Sequence, residues 1–216
     1  MIKNCSLILA LIFMQFYAIS QRPFEKDIED FKSRDKENPP EKGQILFIGS
    51  SSFTLWKDVQ DYFPGKKILN RGFGGSSLTH LIEYANDIIF PYEPSQIVIY
   101  SGENDIAGGA SAQVTYERFK TVYRIIREKL PEVPMLYVSM KPSPSRMKYY
   151  NEMTEANKMI SDFIKKEKNI KYVDVHSKMM KKNYPISEIF TADSLHMNAK
   201  GYQIWKKKIQ PHLIKQ

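Results

Sequence analysis

The sequence predicts a three-layer α/β/α sandwich built on a five-stranded parallel sheet. Five short apolar runs of strand length recur along the chain, with helically spaced apolar residues between them. The first, Ile45-Leu46-Phe47-Ile48, is apolar at every position and ends at Gly49, as a strand buried on both faces does. No repeat and no linker divides the pattern, and 216 residues suit a single domain.

The amino terminus reads as a targeting segment. Lys3 precedes the apolar run Leu7 to Met14, and Ala18-Ile19-Ser20 places small residues at the −3 and −1 positions of a cleavage site. Residues 1–20 are therefore expected to be a signal peptide cut after Ser20, giving a secreted or periplasmic protein, with an anchor retained uncleaved as the alternative. A membrane span needs roughly 20 consecutive apolar residues. Gln15 interrupts this shorter stretch, so no stable span is expected after cleavage. Cleavage removes the single cysteine, Cys5, which excludes disulfides and a thiol nucleophile from the mature chain.

Residues 21–43 form an entry segment. Phe24, Ile28 and Phe31 have helical spacing, and Asn38-Pro39-Pro40 ends the helix. The domain proper occupies 44–216. After the first strand, Phe53, Trp56, Val59 and Phe63 predict a helix, and Lys67 to Asn70 a second strand. Leu78, Leu81, Ile82, Ala85, Ile88 and Ile89 predict the next helix, and Ile97 to Tyr100 a third strand. A helix over 114–130 leads to a strand at Met135 to Val138. A helix over about 151–168, a strand at Tyr172 to Val175 and a last helix over about 198–212 complete the alternation.

A net charge of +8 suggests nucleic acid, but the lysines are scattered over the polar faces of several helices. With no basic stripe and no stacking aromatics, no nucleic-acid partner is expected. His80, His176 and His212 have no metal-ligand spacing, so no metal is expected either.

In a parallel α/β sheet, ligands bind at the carboxyl ends of the strands. Those ends carry Gly49-Ser50-Ser51-Ser52, Gly72-Phe73-Gly74-Gly75-Ser76 and Gly102-Glu103-Asn104-Asp105, which hold five of the ten glycines. Each alone reads equally as a turn or a helix cap. Asp193-Ser194-Leu195-His196, just before the last helix, adds a carboxylate three residues ahead of an imidazole. Folded back, that carboxylate can accept the ring Nδ1–H and leave Nε2 free as a base.

Together and in this order, the four segments resemble the blocks of the GDSL, or SGNH, hydrolases, esterases and lipases on a flavodoxin-like sheet. The resemblance covers residues 45 to about 210. It implies Ser51 as nucleophile, His196 as base and Asp193 as its orienting carboxylate. It also implies an oxyanion hole of the Ser51 N–H, Gly75 and Asn104, with no cofactor. The family's Gly-Asp-Ser-Leu reads Gly-Ser-Ser-Ser here, so Ser50, Ser51 and Ser52 are all formal candidates, and the strand-end spacing favours Ser51.

The expected substrate is a small-molecule ester with a short acyl group, and O-acetylated carbohydrate is favoured. Arg71, Lys141 and Arg146 are the expected polar contacts to it. A lysophospholipase or lipase of the same family, a flavin-binding module of similar architecture and a non-catalytic carbohydrate-binding relative are the alternatives. Intact Ser51, Asp193 and His196 weigh against the last.

Overall fold

The computed structural model describes residues 22–216; the expected leader and its cleavage motif lie outside the described residues. Five parallel strands form one sheet: β1 (Ile45–Gly49), β2 (Ile68–Gly72), β3 (Gln96–Tyr100), β4 (Met135–Val138) and β5 (Ile170–Val173). Their order is β2-β1-β3-β4-β5. The sheet starts at β1, one strand in from an edge, builds outward to β2 at that edge, then crosses back to β3 on the other side of β1. The carboxyl ends of β1, β2 and β3 thus lie side by side, where the order reverses.

Every residue of β1, β3 and β4 is buried, because helices cover both faces of the sheet. Leu46, Ile48, Ile97, Ile99, Met135 and Tyr137 face one helical layer. That layer contains α1 (Glu25–Glu37), α4 (Leu78–Glu83), α5 (Ala85–Ile88), α6 (Glu103–Ala107), α7 (Ala112–Lys129) and α8 (Tyr150–Ile164). The alternate residues Ile45, Phe47, Val98, Tyr100, Leu136 and Val138 face α2 (Ser51–Thr54), α3 (Val59–Tyr62) and α9 (Ala199–Ile209). Fully burying one such Ile or Phe side chain contributes about 1.5–3 kcal/mol. The second core is strongly aromatic: Trp205 meets Tyr100 edge-on at 4.7 Å, and Trp56 stacks on Tyr202 at 4.7 Å. The entry helix α1 joins the first core through Ile28 and Phe31.

Several elements differ from the periodicity. The expected helix through Phe53 and Phe63 is two short pieces, α2 and α3, and the one from Leu78 to Ile89 breaks at Tyr84 into α4 and α5. Apolar spacing reports which side chains are buried; it does not guarantee an unbroken hydrogen-bond ladder between them. The last strand lies two residues earlier than expected, at Ile170–Val173. A small hairpin, β6 (Met180–Lys181) with β7 (Tyr184–Pro185), was not anticipated.

Gly49 has φ +147°, and a Cβ there would sit 1.9 Å from the Tyr100 carbonyl oxygen. Only glycine lets β1 pass so close to β3 and then turn sharply into α2.

Candidate active site

The turn after Gly49 places Ser51 at the first position of α2. Its neighbours Ser50 and Ser52 are buried, whereas Ser51 is half-buried, and the cleft nearby is lined by Gly75 and Asn104. Of the three serines, Ser51 is the one whose hydroxyl reaches a histidine: its Oγ lies 3.0 Å from His196 Nε2.

His196 stands on the loop before α9, on the opposite side of the sheet from α4 and α7. Its Nδ1 lies 2.5 Å from Asp193 Oδ2. A carboxylate has no proton to give, so Nδ1 donates, and Nε2 of the neutral ring is left to accept from Ser51. Asp193 Oδ1 accepts the Leu195 N–H at 2.9 Å, the His196 N–H at 2.9 Å and the Thr191 hydroxyl at 2.7 Å. Partial burial pushes the Asp193 carboxyl up, but these four donors outweigh it and hold the group well below the usual carboxylate range. The loop closes through Ser194, which adopts the left-handed backbone at φ 57°.

On the other side of Ser51 lie the β2–α4 and β3–α6 loops. Gly75 has φ +83°, and its N–H and that of Ser51 donate to no group among the described residues. Ser76 fastens the first loop to β1 by donating from Oγ to the Gly49 carbonyl at 3.2 Å. Asn104 Nδ2 donates to the Ser76 carbonyl at 2.9 Å, which ties the two loops together. Two backbone N–H groups and one side-chain amide are thus collected beside a hydroxyl that contacts an imidazole. Such a set can withdraw the serine proton and neutralise charge developing on a bound oxygen.

The polar contacts expected for substrate are placed differently. Arg71, 8% exposed, turns away from the cleft to the α1 face, where it bonds Asp35 and donates to Tyr92 Oη at 2.8 Å. Its guanidinium carbon lies 5.1 and 4.8 Å from the ring centres of Phe31 and Tyr92, and Nη1 donates to the carbonyl of the neighbouring Asn70, so the group is committed to the α1 face and not to the cleft. Lys141, 1% exposed, lies beneath the cleft with Nζ 3.0 and 3.1 Å from the two Glu103 carboxylate oxygens. Arg146 does border the site, but its Nη2 donates to Asn104 Oδ1 at 2.9 Å.

Glu103 was not visible as a site residue, because nothing in a strand-end loop marks which carboxylate will be buried. Here Tyr100, Lys141 and Arg146 surround it. Burial alone would raise its carboxyl; the two cations and the tyrosine hydroxyl reverse that and hold it down. Burial pushes the Lys141 ammonium down, with Glu103 opposing. Removing one partner should therefore be costly. Lys141→Met is expected to lower stability by about 3–5 kcal/mol, read from the urea midpoint, and adding Glu103→Gln should recover most of it. A loss under about 1 kcal/mol would mean that Tyr100 and Arg146 suffice for the carboxylate.

Asp105, two residues after Glu103, is structural: it accepts the Leu78 N–H at 2.9 Å and Arg118 Nη1 at 2.8 Å. Beyond Gly75 and Asn104, away from His196, a groove of about 660 Å³ runs between α4 and α7. Ser77, His80, Ser111 and Arg118 line it, and Val114 is its single large aliphatic side chain. Among the described residues, no group of three or more His, Cys, Asp or Glu could hold a metal ion. No described helix is long and apolar enough to cross a membrane.

A model of the GDSL-like lipase/acylhydrolase family matches residues 49–204, which contain all the cleft residues above. No curated protein matches the chain. Among solved structures, the chain is similar to a Streptococcus pneumonia protein assigned as a platelet activating factor. The TM-score is 0.77 at 20% identity, covering 88% of this chain and 92% of that one. A GDSL-like lipase from Bacteroides thetaiotaomicron VPI-5482 aligns with TM-score 0.72 at 18% identity, over 86% and 96% of the two chains. A variant of an acetyl-xylooligosaccharide esterase from Geobacillus Stearmophilus aligns with TM-score 0.63 at 12% identity, over 80% and 94%. At these identities the likeness is one of fold.

Proposed function

The chain belongs to the GDSL-like lipase/acylhydrolase family, and from that premise we propose that it is a secreted serine esterase that removes short acyl groups. The observation that carries the reading is the 3.0 Å contact between Ser51 Oγ and His196 Nε2, with free N–H donors beside it.

In the proposed reaction, Ser51 Oγ attacks the ester carbonyl as His196 Nε2 takes its proton. Asp193 keeps the ring in the required tautomer and balances the imidazolium charge. The carbonyl oxygen becomes an oxyanion, met by the N–H groups of Ser51 and Gly75 and by Asn104 Nδ2. Collapse breaks the bond to the alcohol, which leaves with the proton from His196. Water, deprotonated by His196, then attacks the acyl-Ser51 ester, and the proton returns to Ser51 as the acid departs.

Acyl length follows from what the groove offers. With one large aliphatic side chain in its lining, Val114, a long alkyl chain gains little by entering. Arg118 keeps donors beyond the one given to Asp105, and His80 keeps Nε2 beyond the Nδ1 contact with Ser77, so the lining suits an oxygen-rich substrate instead. O-acetylated carbohydrate is accordingly the favoured class over phospholipid. The relative described as an acetyl-xylooligosaccharide esterase makes acetylated xylooligosaccharides a first substrate to assay. Export with cleavage after Ser20 is part of the reading, and the intact mass of the exported chain checks it.

Across p-nitrophenyl esters, kcat/KM is expected to peak at about two to four acyl carbons. A true acyl channel would add up to about 0.8 kcal/mol per methylene and move the maximum to longer chains. A maximum at about eight carbons or beyond, or strong turnover of lysophospholipid micelles, would replace the short-acyl reading with a lipase one and leave ester hydrolysis in place.

A further inference from the structure

Glu103, Lys141 and Arg146 are charged groups held largely out of water directly beneath Asn104, and the reaction above uses none of them. Burying them is costly, and pairing and hydrogen bonding among them offset that cost. Arg146 ends the cluster. Its Nη1 donates to the Glu103 carbonyl at 2.9 Å, Nε faces the Glu103 carboxylate at 3.5 Å, and Nη2 donates to Asn104 Oδ1 at 2.9 Å. The guanidinium is planar and always charged, so fixing one edge on Glu103 also fixes the direction of the bond to Asn104.

The Asn104 amide has two nearly isosteric ends, and one of them would repel an oxyanion. If the amide turned over, Oδ1 rather than Nδ2 would face the developing charge. Two groups of opposite demand prevent this. The Ser76 carbonyl requires a donor and accepts from Nδ2 at 2.9 Å, while Arg146 requires an acceptor and takes Oδ1. The second Nδ2 proton has no acceptor among the described residues and is left for substrate. A charged donor on Oδ1 also draws electron density from the amide nitrogen, which makes that remaining N–H a stronger donor.

The same loop reaches the base. Ser145, next to Arg146, donates its N–H and its hydroxyl to the Ser194 carbonyl at 3.1 and 3.0 Å, two residues before His196. Resting on the esterase reading above, we propose that Arg146 is the positioning residue of the oxyanion site: it locks and polarises the Asn104 amide from behind instead of contacting substrate.

The test is a double-mutant cycle on p-nitrophenyl acetate with Arg146→Met, Asn104→Ala and the pair, each checked by circular dichroism and thermal melting. Arg146→Met is expected to lower kcat about 10- to 100-fold with KM changed less than about threefold, because it weakens a donor that acts on developing charge. In the Asn104→Ala background the same substitution should cost no more than about twofold, since the group it acts through is gone. Arg146→Lys should restore only part of kcat, and it carries the same cycle if Arg146→Met does not fold. A full Arg146→Met penalty that persists without Asn104, or a rise in KM at unchanged kcat, overturns the proposal. If Ser51→Ala and Asn104→Ala are impaired while Arg146→Met is not, only the positioning role falls. If Ser51→Ala turns over normally, the esterase reading itself falls.

Discussion

Replacing Ser51 with alanine is expected to lower kcat for p-nitrophenyl acetate by about 10⁴-fold or more. The size follows from what the hydroxyl does: without it no acyl-enzyme forms, and only direct attack by water on an oriented ester remains. The two neighbouring serines make the prediction discriminating. Ser50 N–H is bonded to the Tyr100 carbonyl at 3.1 Å, and Ser52 is 2% exposed with its carbonyl accepting from Tyr202 at 2.9 Å. Both are built into the walls around the turn, so Ser50→Ala and Ser52→Ala should keep much of the activity, with any loss accompanied by lower stability. Labelling with an organophosphonate should add one phosphonyl mass to the parent protein and none to Ser51→Ala. If Ser52→Ala were the inactive variant, or if Ser51→Ala still took the label, the nucleophile would have to be reassigned.

Strand positions were legible where chemistry left few choices. Ile45 to Ile48 and Met135 to Val138 are apolar at every position because both faces are covered, and both runs became strands. At the edge of the sheet that signal fades. The pattern of β5 is buried, exposed, half-buried, buried, and its start was displaced by two residues. The breaks after α2 and at Tyr84 left no mark in the spacing, because the side chains on either side still point into the core. Tyr84 turns its hydroxyl to the Pro23 carbonyl at 2.7 Å, a contact with a segment 61 residues earlier.

The candidate site divides the same way. Ser51, Gly75, Asn104, Asp193 and His196 stood out because their four segments occur together and in the order of the GDSL blocks they resemble; no one segment marked them alone. The cations did not, since what a guanidinium or ammonium contacts is decided by partners distant in sequence. Arg71 finds Asp35 across 36 residues, and Lys141 finds Glu103 across 38. A basic residue beside a loop looks the same in sequence whether it faces substrate or a buried carboxylate.

Asp193→Asn is expected to reduce kcat by about 10³- to 10⁴-fold, far more than an isosteric change of one atom suggests. The reason is the tautomer. Oδ1 of residue 193 accepts the Leu195 and His196 N–H groups and the Thr191 hydroxyl, so an asparagine must keep its carbonyl oxygen there. Its amide NH₂ then faces His196 Nδ1, which can only accept. The ring proton moves to Nε2, where it opposes the Ser51 hydroxyl instead of taking its proton. Structure and stability should change little, because every backbone donor stays satisfied. The native aspartate predicts the pH behaviour as well. Its donors hold it below the usual carboxylate range, so it stays ionised throughout the mildly acidic range. The acid limb of kcat/KM should therefore have a slope of one, reporting the loss of a single neutral base. A slope of two would mean that Asp193 also gains a proton in that range. An Asp193→Asn variant within about tenfold of the parent would show that the loop backbone alone orients the ring, and Asp193 would then be a structural brace of the turn, not the group that sets its tautomer.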